Sequence, residues 1–72
     1  MNKTRVGIIG QGYVGLNLAY LAAPHYQITG FDNNEILVKK LNEGTSQIEG
    51  VDGKILKNYV YEGAYTASTD FR

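Results

Sequence analysis

Apolar and polar positions along the chain fall into alternating short and long blocks. Val6, Ile8 and Ile9 make a short run that is continuously apolar, which predicts a buried parallel strand rather than one with a wet face. From Tyr13 the period lengthens. Val14, Leu18, Leu21 and Ala22 stand at i, i+4, i+7 and i+8, which predicts one apolar helix face. Pro24 cannot continue that helix, so it is expected to stop near Ala23. Gln27 to Phe31 reads as a second strand, delivering Asp32 at its tip. Residues 34–43 read as a second helix, with Ile36, Leu37, Val38 and Leu41 on its apolar face and Gly44 as its stop. Lys39 and Lys40 form its solvated face, favourably placed near the helix end. After a polar connection over residues 45–50, Asp52 is expected to cap a third, shorter helix through Tyr61, with Ile55, Leu56, Tyr59 and Val60 on one side and Gly63 after it. Tyr59 and Tyr61 read as packing residues, and residues 65–69 as a short third strand. His25 has no acidic or metal-binding partner near it in sequence and reads as a solvated loop histidine.

The junction between the first strand and the first helix holds the most informative residues. Gly10, Gly12 and Gly15 have the G-x-G-x-x-G spacing. Gly10 lets the chain turn sharply at the strand end. Gly12 has no Cβ, so a pyrophosphate can come close to the backbone, and Gly15 lets the helix pack tightly on the strand. The helix then presents free N–H groups and the positive end of its dipole, equivalent to roughly half a charge, to the phosphates. Asp32 lies about twenty residues beyond the turn, where an acid is expected to hold an adenosine ribose. A right-handed parallel crossover puts it on the same edge as the turn. An acid there accepts hydrogen bonds from ribose hydroxyls and repels a 2′-phosphate, which favours NAD over NADP. The competing assignment uses the glycines only for packing and Asp32 only as a helix cap. Asn33 and Asn34 can already cap that helix, and three glycines plus one acid are then left to chance. The arrangement implies an α/β fold, the N-terminal part of a Rossmann-type doubly wound parallel sheet, with about three strands and two to three helices.

Length and composition qualify this picture. With 72 residues the chain has room for about three of the five or six strands such a sheet usually contains. A domain this small buries only about 60% of its unfolded surface, and small domains usually add disulfides or a metal. Here there is no cysteine and one histidine, so neither is expected. Residues 1–72 are therefore expected to be the N-terminal portion of an NAD-binding domain, the front piece of a longer protein, or to fold with help from a partner chain. Seven basic and seven acidic residues balance, which argues against a nucleic-acid-binding or polybasic membrane surface. No apolar run approaches the roughly eighteen residues that a membrane span needs, and glycines interrupt the early apolar stretch too soon for a secretory signal. The lack of cysteine fits a reducing compartment, and a cytoplasmic location is expected.

Several stretches together resemble one family. They are Gly10-Gln11-Gly12-Tyr13-Val14-Gly15-Leu16, the pair Phe31-Asp32, the run Val38-Lys39-Lys40-Leu41-Asn42-Glu43-Gly44, and the closing Thr69-Asp70. The family is the UDP-glucose/GDP-mannose dehydrogenases, NAD-dependent enzymes that oxidise the C6 alcohol of a nucleotide sugar to a carboxylate. The Tyr-Val pair and the Leu make this turn more specific than a bare glycine motif. The resemblance covers essentially the whole chain but only about the first sixth of a family member. It implies that the backbone at Gln11, Gly12, Tyr13 and Val14 cradles the pyrophosphate and that Asp32 holds the adenosine ribose. It also implies a UDP-sugar substrate and a homo-oligomer. The family often has Lys or Arg five residues after that Asp, and this chain has Leu37, which implies weaker hold on the adenosine end or another residue in its place. The stretch Ser46-Gln47-Ile48-Glu49-Gly50-Val51 is more similar to the branch acting on UDP-N-acetylhexosamines. The family's chemistry implies a cysteine nucleophile, two hydride transfers and a thioester. With no cysteine, this chain is expected to hold cofactor without catalysing the reaction, and no residue here is assigned a catalytic role. The alternative is a non-enzymatic module that senses NAD or another nucleotide with the same turn. A flavoprotein using that turn for FAD is a third, less consistent with Tyr13-Val14-Gly15-Leu16.

Overall fold

The computed structural model describes residues 3–46, 48 and 50–70. Expectations that fall on Gln47, Glu49, Phe71 and Arg72 lie outside the described residues. The elements are β1 (Arg5–Ile9), α1 (Tyr13–Ala22), β2 (Gln27–Phe31), α2 (Glu35–Asn42), α3 (Gly53–Glu62) and β3 (Tyr65–Ser68). The strands form one sheet in the order β1-β2-β3, and both pairings are parallel. This is the Rossmann-like α/β arrangement expected from the sequence.

Register decides which side chains meet the helices. Val6 lies opposite Ile28, which lies opposite Tyr65, and Ile8 lies opposite Gly30, which lies opposite Ala67. These alternate positions form the covered face of the sheet. Both crossovers step the same way along the sheet, so right-handed connections put all three helices on that face. Leu16, Ala19 and Ala23 from the first helix and its end, Val38 and Leu41 from α2, and Leu56 from α3 pack there on Ile28, Tyr65 and Ala67. Tyr59 joins them by packing its ring against Tyr20, with centroids 5.8 Å apart and planes tilted by 60°.

The helix ends follow local chemistry. The Asn34 side chain accepts from Leu37 N at 3.0 Å, and Asp52 accepts from Lys54 N at 2.8 Å, each capping its helix. At the far end of α2 the Asn42 amide copies a neighbouring strand. Its Oδ1 accepts from Ala67 N at 2.8 Å and its Nδ2 donates to Ala67 O at 2.9 Å, stitching α2 to the free edge of β3.

Three expectations need correction. First, β1 is not buried throughout: Val6 and Ile8 are half-buried, but Ile9 is 78% exposed. The strand is at an edge, and Ile9 points to the face that carries no helix among the described residues. Second, Val14, Leu18 and Leu21 are 77%, 54% and 70% exposed, and Leu16, Ala19 and Ala23 are buried instead. Helix α1 is apolar on both sides, so the period alone does not choose a face. The small residues choose it, because Gly15 and Ala19 allow the backbone to sit close to the sheet and bulky Leu18 and Leu21 do not. Third, Ile36 and Tyr61 are exposed rather than packed.

This choice of face is measurable. Leu16→Ala is expected to destabilise the fold by about 2–5 kcal/mol, against less than about 0.5 kcal/mol for Leu18→Ala. Urea denaturation checks both, and equal losses would contradict the orientation of α1.

Candidate functional site

The site forms where β1 and β2 both end. Gly10 leaves β1 at φ +87°, a conformation that favours glycine, and its N–H donates to Phe31 O at 2.6 Å. That bond folds the turn against the end of β2. Gly12 then serves as the N-cap of α1 with extended backbone, and no side chain caps the helix there. A Cβ built on Gly12 meets nothing within 4 Å, so bare main chain faces open space at the positive end of the helix dipole. Gly15 has the opposite surroundings. A Cβ there would overlap the Gly10 carbonyl oxygen, so only glycine lets α1 begin this close to the turn. Of the residues expected at this site, Tyr13 and Val14 occupy the exposed first turn of α1.

Asp32 is brought to the turn as expected. Gln11 N donates to Asp32 Oδ2 at 2.8 Å, and Asn34 N donates to Oδ1 at 3.0 Å. Asp32's own N–H donates to Ser68 O at 3.0 Å, which anchors the residue to the end of β3. The Gln11 and Asn34 amides hold the carboxyl below its ordinary value of 3.8, with a smaller contribution from the Asn33 amide, against a modest opposing effect of burial. The carboxylate is thus ionised and aimed, and each oxygen keeps acceptor capacity for a further donor. Glycine turn, helix start and acid form one continuous surface.

Two features were not foreseen. The Gln11 N–H is committed to Asp32 rather than to the space above the turn, and the Gln11 side chain is fully buried beneath it. Tyr65 is also fully buried, and its hydroxyl donates to Gln11 Oε1 at 2.7 Å. Gly30 was the available signal, since a glycine inside a strand marks a close approach by another group. Leu37, at the position where the resembled family often has Lys or Arg, is half-buried against the core. His25 lies exposed in the α1–β2 connection. Among the described residues no group of three or more His, Cys, Asp or Glu side chains could hold a metal, and no helix is long and apolar enough to cross a membrane.

A cavity lies elsewhere. About 680 Å³ in volume, it is lined by Lys3, Arg5, Gln27, Tyr59 and Glu62 among others, at the end of the sheet where the strands begin. Open α/β sheets bind ligands outside the carboxyl ends of their strands, which is where the turn and Asp32 meet, so that end of the sheet is the better site.

Comparison with known proteins shows the family of the chain. Residues 4–72 match the model described as the UDP-glucose/GDP-mannose dehydrogenase family, NAD binding domain. Protein CapL of Staphylococcus aureus is 33% identical over 70 residues, spanning 97% of this chain and 16% of CapL. The structure of the UDP-D-ManNAc dehydrogenase from Pyrococcus horikoshii superposes with a TM-score of 0.82 at 28% identity, over 93% of this chain and 16% of that one. The UDP-N-acetyl-mannosamine dehydrogenase of Staphylococcus aureus gives 0.80 at 28% identity, over 92% and 17%. The chain therefore spans about a sixth of the length of these relatives.

The aimed carboxylate has a pH signature. An acid whose native pKa is depressed adds stability that is complete above its ordinary value, here 3.8, and is lost as pH falls below it through the native value. Carboxyl-carbon NMR is expected to put the Asp32 midpoint below 3.8, and Asp32→Asn to flatten the acid limb of the stability profile below that pH. A midpoint at or above 3.8 would contradict the two amide bonds.

Proposed function

The chain belongs to the UDP-glucose/GDP-mannose dehydrogenase family, through its NAD-binding domain, and from that premise we propose that it is the N-terminal cofactor-holding portion of a nucleotide-sugar 6-dehydrogenase. The substrate of that parent is a UDP-sugar oxidised at its C6 alcohol to a carboxylate. Within the family we place it in the N-acetylhexosamine branch, a placement supported by the two N-acetylmannosamine enzymes whose folds it matches.

The residues present fit NAD. The open space over Gly12 accommodates a pyrophosphate against bare main chain, and the uncapped start of α1 supplies N–H donors at Gly12, Tyr13 and Val14. The Asp32 carboxylate, fixed by Gln11 and Asn34, accepts from the adenosine ribose hydroxyls. Gln11 thereby contributes by aiming the acid, while Gly10 and Gly15 set the curvature of the turn. NAD supplies the hydride acceptor. The chain's own residues bind and orient it, and with no cysteine in the sequence they furnish no thiol nucleophile. The apolar stripe of Val14, Leu18 and Leu21 left exposed on α1 supports a homo-oligomeric or otherwise covered parent.

The observation that carries this proposal is the carboxylate of Asp32 2.8 Å from the main chain of the glycine turn. Asp32→Ala removes a charge-assisted hydrogen-bond acceptor and is expected to weaken NAD binding by about 1.5–3 kcal/mol, roughly ten- to a hundredfold. Calorimetric titration checks it. An unchanged affinity would remove Asp32 from the site, and NAD binding without any turnover of UDP-sugar by the full-length parent would favour a sensing role instead.

A further inference from the structure

Gln11 and Tyr65 make a buried polar contact that cofactor binding alone does not call for. Both side chains are fully buried. Tyr65 Oη donates to Gln11 Oε1 at 2.7 Å, and Gln11 Nε2 donates to Gly10 O at 2.9 Å and Ile8 O at 3.2 Å. The pair joins β3 to the turn that leaves β1, passing across β2. Gly30 in β2 makes the room, since a Cβ there would overlap Gln11 Oε1 and lie 2.7 Å from Tyr65 Oη. No side-chain nitrogen or oxygen buried among the described residues lacks a partner. Burying two polar groups is unfavourable unless they are paired, and a phenylalanine would fill the same space without that requirement. A satisfied buried network fixes one geometry.

The same glutamine carries the main-chain N–H that holds Asp32 Oδ2. We propose that Tyr65 is a positioning residue for the dinucleotide site. Through the Gln11 side chain it holds the turn in the one orientation that aims the Gln11 N–H at Asp32, and so sets the hold on the adenosine ribose without touching the cofactor. Together with the Asp32 N–H to Ser68 O bond, this makes β3 the support of the site at both of its ends. The inference rests on the NAD-binding role proposed above.

Tyr65→Phe is the test. Removing one neutral buried hydrogen bond is expected to weaken NAD binding roughly three- to tenfold. The readout that a merely structural role would not move is the Gln11 backbone amide proton, followed by NMR without nucleotide. In the unaltered protein its hydrogen bond to Asp32 is expected to make it follow the Asp32 titration, and in Tyr65→Phe that coupling is expected to diminish. Gly30→Ala keeps both polar groups but displaces Gln11 Oε1, and is expected to act in the same direction. If Tyr65→Phe folds and the Gln11 amide still follows Asp32 as before, the proposal is overturned. If the variants do not fold, the unaltered protein decides it: a Tyr65 hydroxyl proton slow to exchange and close to the Gln11 side-chain amide supports the contact, and rapid exchange overturns it. Should the unaltered protein fail to bind NAD, the cofactor role falls, while the amide titration still decides whether Tyr65 positions Asp32.

Discussion

The hydrogen bond from the Gln11 main chain to the Asp32 carboxylate ties together the two strand ends on which the site is built. One partner is the middle residue of a glycine turn, and the other is the first residue past the neighbouring strand. Neither position means much alone. Their meeting requires a parallel crossover of the right hand, a turn tight enough to reach the next strand, and a helix that starts close to that turn. Gly10 N on Phe31 O supplies the second, and the missing Cβ of Gly15 supplies the third. The result is a short path along which a carboxylate, exposed amides and a helix dipole can act on one elongated anion with a sugar at its end.

The rest of the molecule serves that junction from one side only. Among the described residues all three helices cover a single face of the sheet, so the opposite face shows Ile9, and α1 shows a bulky apolar stripe. Doubly wound sheets carry helices on both faces. Among the described residues Ile9, Val14, Leu18 and Leu21 stand exposed, and the solved relatives that share this fold over the matched segment are about six times as long.

Much of this was legible in the residues, for reasons that differ by element. Helix α2 could be read because Asn34 caps it and its two lysines mark a wet side. Helix α3 could be read because Asp52 and Gly63 bracket it. The pairing of the glycine turn with Asp32 was legible because it depends on main-chain geometry that few residue types permit. Helix α1 was located but turned the wrong way. Its sequence is apolar on two faces, and only the size of the side chains separates the close-packed one from the outer one. The Gln11–Tyr65 contact was not legible, because 54 positions separate its partners and glutamine and tyrosine are ordinary surface residues. Gly30 was its one local trace, and it takes meaning only once the register places it beneath both side chains.

The most direct measurement is a crystal structure of the protein with NAD bound. It is expected to place the diphosphate over the main chain of Gly12 and the first turn of α1, with the adenosine ribose hydroxyls on the Asp32 carboxylate. A nucleotide bound at the opposite end of the strands, or one whose ribose lies out of reach of that carboxylate, would contradict the account.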